Sequence, residues 1–259
     1  MFYHNINPIL LSLGPLQIRY YGIIYVLGFV IAYFLINYII KKKGLDITKD
    51  DVTDLLFYLL IGVILGARLF YVIVYNPKYF LVNPLDIFAI WHGGLSFHGG
   101  FIGVVIAVLI FCKKKKISFL RLADIIVIPL SIALALGRIG NFLNGELYGR
   151  ITNVPWAVKF KGAEGFRHPS QIYESLKNLF IFSVLWTLNK KNLPKGYLFS
   201  TFILMYSSLR FFVEFVRMPD SQLGFIIFGL SMGQVLSVIM FIGGLVLLKL
   251  IKQNKANLL

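Results

Sequence analysis

The sequence is divided into strongly apolar stretches separated by short polar connections. An α-helix needs about 20 apolar residues to cross roughly 30 Å of hydrocarbon, and the stretches are close to that length, although several are short. The pattern therefore predicts an all-α polytopic membrane protein, folded as one integral membrane domain over residues 1–259. The seven predicted transmembrane helices lie near 18–40, 55–75, 95–112, 121–137, 171–188, 196–216 and 225–248.

The composition excludes an ordinary soluble domain. The chain is 58% hydrophobic and only 14% charged, whereas soluble domains carry about 25% charged residues. In a soluble protein the net charge of +15 would suggest a nucleic-acid partner, but the sequence has no arginine-rich arm and no known nucleic-acid motif. In a membrane protein, lysines and arginines collect in cytoplasmic loops and face anionic lipids. We therefore expect membrane lipids, and no nucleic acid, among the partners.

The distribution of lysines predicts the orientation of the helices. Lysine runs lie at 41–43 and 113–116, and further lysines lie near 190–195 and after the last span. All these positions fall on one side of a seven-helix protein, which the positive-inside rule identifies as the cytoplasm. The N-terminus is then outside and the C-terminus cytoplasmic. The longest outer connection, about 138–170, is expected to form a small extracytoplasmic cap.

A polar run directly follows the fourth apolar stretch. Residues 137–150 read Gly-Arg-Ile-Gly-Asn-Phe-Leu-Asn-Gly-Glu-Leu-Tyr-Gly-Arg. Polar and charged groups at a bilayer edge are costly unless they pair with one another or with a ligand, and glycines allow the backbone to approach what it binds. The run therefore predicts a binding site for an anionic molecule that lives in the membrane. Its candidate residues are Arg138, Asn141, Asn144, Glu146 and Gly149.

A second candidate is His98, at the start of the third apolar stretch. Four glycines precede or follow it within residues 93–100, and they permit an irregular backbone of the kind that lines a cavity at membrane depth. Histidine exchanges a proton near neutral pH, so His98 is a candidate base; a hydrogen-bonded histidine that packs helices together is the alternative. A serine-hydrolase elbow is excluded, because Gly-x-Ser-x-Gly would require glycine at position 98.

A third cluster lies on the sixth apolar stretch. Spacings of four and three residues place Arg210, Glu214 and Arg217 on one helical stripe, with Tyr206 one turn earlier. A lone arginine at this depth is costly, so Arg210 must pair with Glu214, with a lipid phosphate, or with both. A purely structural ion pair that locks helices is the alternative.

Two arginines from different helices, Arg138 and Arg210, are suited to a phosphate ester, since guanidinium groups bind its oxygens bidentately. Tyr21, at the start of the first span, either anchors the helix at the interface or contacts a headgroup. Glu174 is expected to pair with an arginine, and Arg68 is expected to have a structural partner.

Metal and thiol chemistry of the protein's own are not expected. Cys112 is the only cysteine, so neither an intramolecular disulfide nor a cysteine-based metal site can form. The four histidines show no close metal-ligand spacing and no His-Glu-x-x-His motif. Because Cys112 lies at the end of its span opposite to the polar clusters, any reacting thiol must come from a substrate.

Residues 137–150 closely resemble the signature of the prolipoprotein diacylglyceryl transferase family. Further segments resemble the same family in its usual order, and the resemblance covers essentially the whole chain. These further segments are Tyr21-Gly22, Gly94 to Gly100, His168 to Glu174, and Arg210 to Asp220.

The resemblance implies a multi-pass enzyme of the bacterial cytoplasmic (inner) membrane with its active site toward the extracytoplasmic face. It implies transfer of the diacylglyceryl group of phosphatidylglycerol to the lipobox cysteine thiol in the signal peptide of a preprolipoprotein. A thioether forms, glycerol phosphate leaves, and no soluble cofactor is required.

The resemblance also suggests roles for the candidate residues. His98 would favour the thiolate of the substrate, and Arg138 and Arg210 would hold the charge of the departing phosphate. Glu146 and Glu214 would hold the arginines in place. The expected substrate-binding residues are Arg138, Tyr21, Asn141, Asn144, Glu146, Gly149, Tyr206, Glu214 and Arg217.

Two other classes of protein are considered. An anion or lipid transporter also has intramembrane arginines and glycine-broken helices, but no two-fold repeat is visible and the charges gather at one face. A structural membrane subunit leaves the polar clusters unexplained.

Overall fold

The computed structural model of the chain describes residues 1–14, 16–218, 225–227 and 229–256. In these residues each of the seven predicted stretches contains one long helix, and one short helix, α3, lies between the second and third. The helices are α1 Tyr20–Lys43, α2 Lys49–Phe70, α3 Pro77–Val82, α4 Phe97–Lys115, α5 Phe119–Asn144, α6 Ser170–Leu188, α7 Tyr197–Val213 and α8 Met232–Ala256. A π-helix, Tyr71–Tyr75, continues α2.

The helices confirm an all-α polytopic membrane protein. Five helical segments among the described residues are long and apolar enough to cross a membrane: Tyr20–Lys43, Lys49–Tyr75, Phe97–Lys115, Phe119–Asn144 and Met232–Gln253. Helix α7 is a shorter apolar helix. Helix α6 is less apolar because the residues that it buries in its first half are mostly polar.

Within the described ranges, three small sheets of two short strands each lie outside the helices. Strands β1 (Phe2–Tyr3) and β4 (Val158–Lys159) pair in parallel. Strands β2 (Ile9–Leu13) and β3 (Leu16–Arg19) are antiparallel, as are β5 (Phe225–Ile227) and β6 (Leu230–Ser231). The last pair explains why α8 begins at Met232, seven residues later than the predicted span at 225.

Helix α5 continues beyond its predicted end at residue 137. It runs to Asn144, so the first half of the polar signature is helical instead of belonging to the cap. Hydropathy falls after residue 137, but nothing there breaks the helix. Gly145 ends it, because its φ of +69° is a left-handed conformation that favours glycine.

Backbone contacts divide the chain into two compact units. The larger unit contains Met1–Leu35 and Ala123–Leu259, and the smaller unit contains Ile36–Leu122. In the larger unit α7 packs against both α6 and α8, and in the smaller unit α2 packs against α4.

Glycines bring α2 and α4 of the smaller unit into backbone contact. A Cβ atom on Gly66 would lie 2.3 Å from the carbonyl oxygen of Gly99, and one on Gly103 would lie 2.0 Å from that of Gly62. In membranes, small residues at a helix interface allow this close approach. The contact fixes the start of α4, where His98 lies.

The guanidinium group of Arg68 fixes the backbone that precedes α4. Its Nη1 donates to the carbonyl oxygens of Gly93 and Gly94, at 2.6 and 3.0 Å, and its Nε donates to that of Ile87 at 2.9 Å. Its Nη2 donates to the carbonyls of Asp86 and Ala89. The expected structural partner of this buried arginine is therefore a set of backbone carbonyls in the smaller unit.

The connecting segment 145–169 is tied to α5 by the N-terminus of the chain. Strand β1 pairs with β4 of this segment, and the Nε2 atom of buried His4 lies 2.7 Å from the carbonyl oxygen of Phe142. Val158, Phe160 and Ala163 form a small core with Phe142 and Tyr148. These contacts hold the end of α5 and the signature residues that follow it.

The glycine contact between α2 and α4 predicts a loss of stability in Gly66→Ala. The new methyl group would overlap the Gly99 carbonyl, and we expect the separation of the helices to cost about 1–3 kcal/mol. The thermal midpoint of the purified protein in detergent would measure it. Gly243→Ala in α8 is the matched control, because its Cβ meets nothing within 4 Å. An unchanged midpoint in Gly66→Ala would contradict the proposed contact.

Candidate active site

Helix α6 carries a polar face into the interior of the larger unit. Its buried residues include Gln171, Glu174, Lys177 and Asn178, which recur at spacings of three and four and therefore share one side of the helix. The Glu174 residue is 2% exposed. A carboxylate at such a position requires cationic or hydrogen-bonding partners.

Three cationic side chains surround the Glu174 carboxylate. The Lys177 Nζ atom lies 2.6 Å from its Oε2, and the Nη1 atom of Arg210 pairs with its Oε1. The Nε atom of Arg138 lies 3.9 Å from Oε2. Glu174 thus brings together Arg138 of α5 and Arg210 of α7, the two arginines that the sequence suggested for a phosphate.

Arg210 also binds a second carboxylate. Its Nη2 atom lies 2.7 Å from Oε2 of Glu214, and the Ser231 hydroxyl donates to Oε1 of Glu214 at 3.1 Å. Arg217 Nη1 lies 3.9 Å from the same Oε2. A Cβ on Gly233 would lie 2.8 Å from this carboxyl group, so a larger residue at the start of α8 would displace the Glu214 side chain.

These side chains form a continuous arginine–glutamate cluster. We define it by its six charged residues: Arg138, Glu174, Lys177, Arg210, Glu214 and Arg217. Four cations face two carboxylates, which leaves a net charge of +2. An excess of positive charge within a membrane protein favours an anionic ligand.

The signature residues at the end of α5 extend the cluster. Arg138 Nη1 donates to Oδ1 of Asn141 at 3.4 Å, and the amides of Asn141 and Asn144 donate to Oε1 of Glu146 at 2.9 and 3.2 Å. In the described part of the chain Glu146 therefore reaches Arg138 through Asn141 and forms no direct ion pair. Glu214, by contrast, binds Arg210 directly.

Two tyrosines from the predicted set border this region of the larger unit. The ring of Tyr21 lies against Gly140, where a Cβ would be 2.8 Å from Cδ2 of the ring. The Tyr21 hydroxyl forms a hydrogen bond of 2.9 Å with that of Tyr25. The ring of Tyr206 lies under Lys177, whose Nζ is 4.1 Å from the ring centroid, a favourable cation–π distance.

Gly149 joins the connecting segment 145–169 to the end of α7. Its N–H donates to the His168 carbonyl at 2.8 Å, and a Cβ would lie 2.4 Å from the carbonyl oxygen of Val216. Arg150 donates from its Nε to the carbonyl of Arg217 at 2.9 Å. Glycine is therefore required at 149 to place Arg217 beside the cluster. Pro219 and Asp220, which end the Arg210 to Asp220 motif, lie outside the described residues.

His98 is the second residue of α4 and belongs to the smaller unit. The hydroxyl of Ser96 caps this helix by accepting a hydrogen bond from the N–H of Gly99 at 3.3 Å. The His98 side chain is exposed.

His168 lies in the connecting segment, next to Tyr173. Its Nδ1 is 3.2 Å from the Tyr173 hydroxyl. Burial lowers the pKa of His168 below its usual value, because the charged imidazolium loses hydration. The neutral ring is therefore favoured at neutral pH, and His168 adds no charge to the segment.

Lys177 is a residue of the cluster that was not predicted from the sequence. The signal was present, because a lysine inside a membrane helix is costly and this one follows Glu174 by three residues, the spacing of neighbours on a helix. Ser231 was also missed. Its contact with Glu214 joins α8 to the end of α7, and hydropathy contains no sign of this.

The fold and the cluster define a class: a polytopic membrane protein that gathers arginines around buried carboxylates at the end of α5. The sequence model of the family described as prolipoprotein diacylglyceryl transferase matches residues 8–250, and the chain belongs to that family.

Similar proteins are named phosphatidylglycerol–prolipoprotein diacylglyceryl transferase. The protein of Geobacter sulfurreducens is 48% identical over 99% of this chain and 100% of its own length. That of Bordetella avium is 46% identical over 97% of both chains. That of Oleidesulfovibrio alaskensis is 45% identical over 98% of this chain and 96% of its own.

The cluster predicts that Glu174→Gln destabilises the protein. The change removes the negative charge from Oε1 and Oε2 and leaves three cations without this counter-ion. Removing one partner of a buried pair costs about 3–5 kcal/mol, which titration with denaturing detergent would measure. Glu164→Gln is the matched control, since Glu164 is exposed. Equal stability of the two variants would rule out the central role of Glu174.

Proposed function

We propose that this chain transfers the diacylglyceryl group of phosphatidylglycerol to the lipobox cysteine of a preprolipoprotein signal peptide. The proposal is supported by membership of the family and by the names of relatives that match nearly the whole chain. It places the protein in the bacterial cytoplasmic membrane with its active site toward the extracytoplasmic face. The positions of the lysine runs support this orientation.

The observation that carries the proposal is the convergence of Arg138 and Arg210 on the carboxylate of Glu174. Phosphatidylglycerol has an anionic phosphodiester, and its phosphate gains charge when the bond to the diacylglyceryl carbon breaks. Guanidinium groups that are held in place before the reaction stabilise such charge without reorganisation. The net positive charge of the cluster provides this field.

In the proposed reaction the sulfur of the substrate cysteine attacks the terminal carbon of the diacylglyceryl group. A C–S bond forms, the C–O bond to phosphate breaks, and its electron pair remains on the phosphate oxygen of the departing glycerol phosphate. The thiol must lose its proton, and its unperturbed pKa near 8.5 makes a base useful at neutral pH. We assign this role to His98.

The two arginines differ in how they are held, which suggests different roles. Arg210 binds Glu174 and Glu214 at once, so it forms the fixed part of the phosphate site. Among the described residues, the polar contacts of Arg138 are long, at 3.4 Å to Asn141 and 3.9 Å to Glu174. Its guanidinium can therefore turn to a lipid phosphate at little cost.

The other predicted residues border the same site. Asn141, Asn144 and Tyr21 are proposed to bind the glycerol hydroxyls or to orient the headgroup, with Glu146 fixing the two amides. Gly149, Tyr206, Glu214 and Arg217 are proposed to shape the site from α7 and the connecting segment 145–169.

The phosphate role predicts that Arg138→Ala lowers the rate of transfer about 10²–10³-fold, the usual loss for one such group. Labelled phosphatidylglycerol and a lipobox peptide would be incubated with the purified enzyme in lipid nanodiscs, and the thioether product counted. Arg19→Ala, at an exposed position, is the control. Normal turnover by Arg138→Ala would contradict the phosphate role; lipid flux without any thioether would indicate a transporter instead.

The base role predicts that His98→Gln lowers turnover and changes the pH dependence of the rate. Rates between pH 5.5 and 9 would be compared with the wild type at saturating lipid. If His98→Gln kept both the rate and the pH profile, the arginines alone would suffice to favour the thiolate.

A further inference from the structure

The side chain of Lys177 is almost fully buried, which is rare for lysine. Its side chain is 3% exposed, and Nζ lies 2.6 Å from Oε2 of Glu174. The face of the Tyr206 ring lies on its other side, with its centroid 4.1 Å away. Lysines are almost never fully buried unless they are paired. The carboxylate and the ring together hold the ammonium group, which is too enclosed to contact a ligand itself.

Lys177 and Arg138 share one oxygen atom of Glu174. Lys177 lies 2.6 Å from Oε2, whereas the Nε of Arg138 lies 3.9 Å from it. A charge-assisted hydrogen bond from nitrogen to a carboxylate is about 2.7–2.9 Å long, so Arg138 makes no such bond to Glu174. Its side chain is 23% exposed, compared with 12% for Arg210.

Each oxygen of the Glu174 carboxylate has one cation at hydrogen-bonding distance. Arg210 pairs with Oε1 and Lys177 with Oε2. Without the ammonium group, Oε2 would be free to accept hydrogen bonds from Arg138, and arginine and carboxylate commonly pair in this way. Arg138 would then be neutralised by the protein and less able to bind a phosphate.

We propose that Lys177 is a positioning residue that occupies Oε2 of Glu174 and thereby leaves the Arg138 guanidinium available to the phosphate of an anionic lipid. This inference rests on the proposed function, which requires Arg138 to contact the headgroup. Lys177 also supplies one of the four cations of the cluster. Without it, three cations would face two carboxylates, and the net charge would fall from +2 to +1.

The test is Lys177→Met, which keeps an unbranched side chain of similar length and removes the charge. We expect KM for phosphatidylglycerol to rise about 10-fold, because Arg138 turns to Glu174, while kcat changes less than about 3-fold. Lys161→Met is the control, since Lys161 is exposed in the connecting segment 145–169. An unchanged KM in an active, folded Lys177→Met enzyme would overturn the inference.

A second variant separates positioning from a merely structural role. In an Arg138→Ala background, we expect Lys177→Met to change KM less than about 3-fold, because no guanidinium remains at position 138 to turn to Glu174. If Lys177 were only structural, Lys177→Met would raise KM about 10-fold in this background too. That result would also overturn the inference.

Two further outcomes keep the test decisive. If Lys177→Met does not fold, Lys177→Arg keeps the cation on Oε2 and is expected to stay within about 3-fold of the wild-type KM; a 10-fold rise in the folded variant would count against the inference. If the wild-type enzyme itself forms no thioether, the proposed function fails. If the wild type is active but KM does not depend on residue 177, only the inference about Lys177 fails.

Discussion

The Glu174 carboxylate is the group on which the larger unit depends. It lies on the buried face of α6 and is approached by Arg138 of α5, Lys177 of its own helix and Arg210 of α7. Each of these cations would be costly in a membrane protein without a counter-charge. One carboxylate therefore makes it possible for three helices to bring positive charge to the same place. The two carboxylates of the cluster do not neutralise its four cations. The remaining positive charge is available to attract a phosphate.

Much of the fold follows from hydropathy alone, because long apolar stretches have few alternatives to membrane helices. Among the described residues, five of the seven predicted spans contain helical segments long and apolar enough to cross a membrane. The residues at which the helices begin and end cannot be predicted from hydropathy. Polar residues after 137 mark a membrane boundary by composition, but α5 continues to Asn144 until Gly145 ends it. The small sheets were also missed, since strands of two to five residues are too short to give a clear periodic pattern.

The candidate site was partly predictable. Helical spacing predicted the pairing of Arg210 with Glu214, and burial cost predicted a partner for Glu174. The sequence could not show that one carboxylate serves arginines from two helices, because that depends on how α5, α6 and α7 pack. A partner for Arg68 was also expected from the sequence. The identity of that partner, a set of five backbone carbonyls, could not be predicted because it depends on the path of the loop before α4.

The most direct test of the proposed phosphate site is a structure of the protein in lipid nanodiscs with phosphatidylglycerol bound. We expect a phosphate oxygen within about 2.7–3.2 Å of the Arg138 guanidinium, with Arg210 still bound to Glu174 and Glu214. A headgroup bound away from the end of α5, with Arg138 closed onto Glu174, would contradict it.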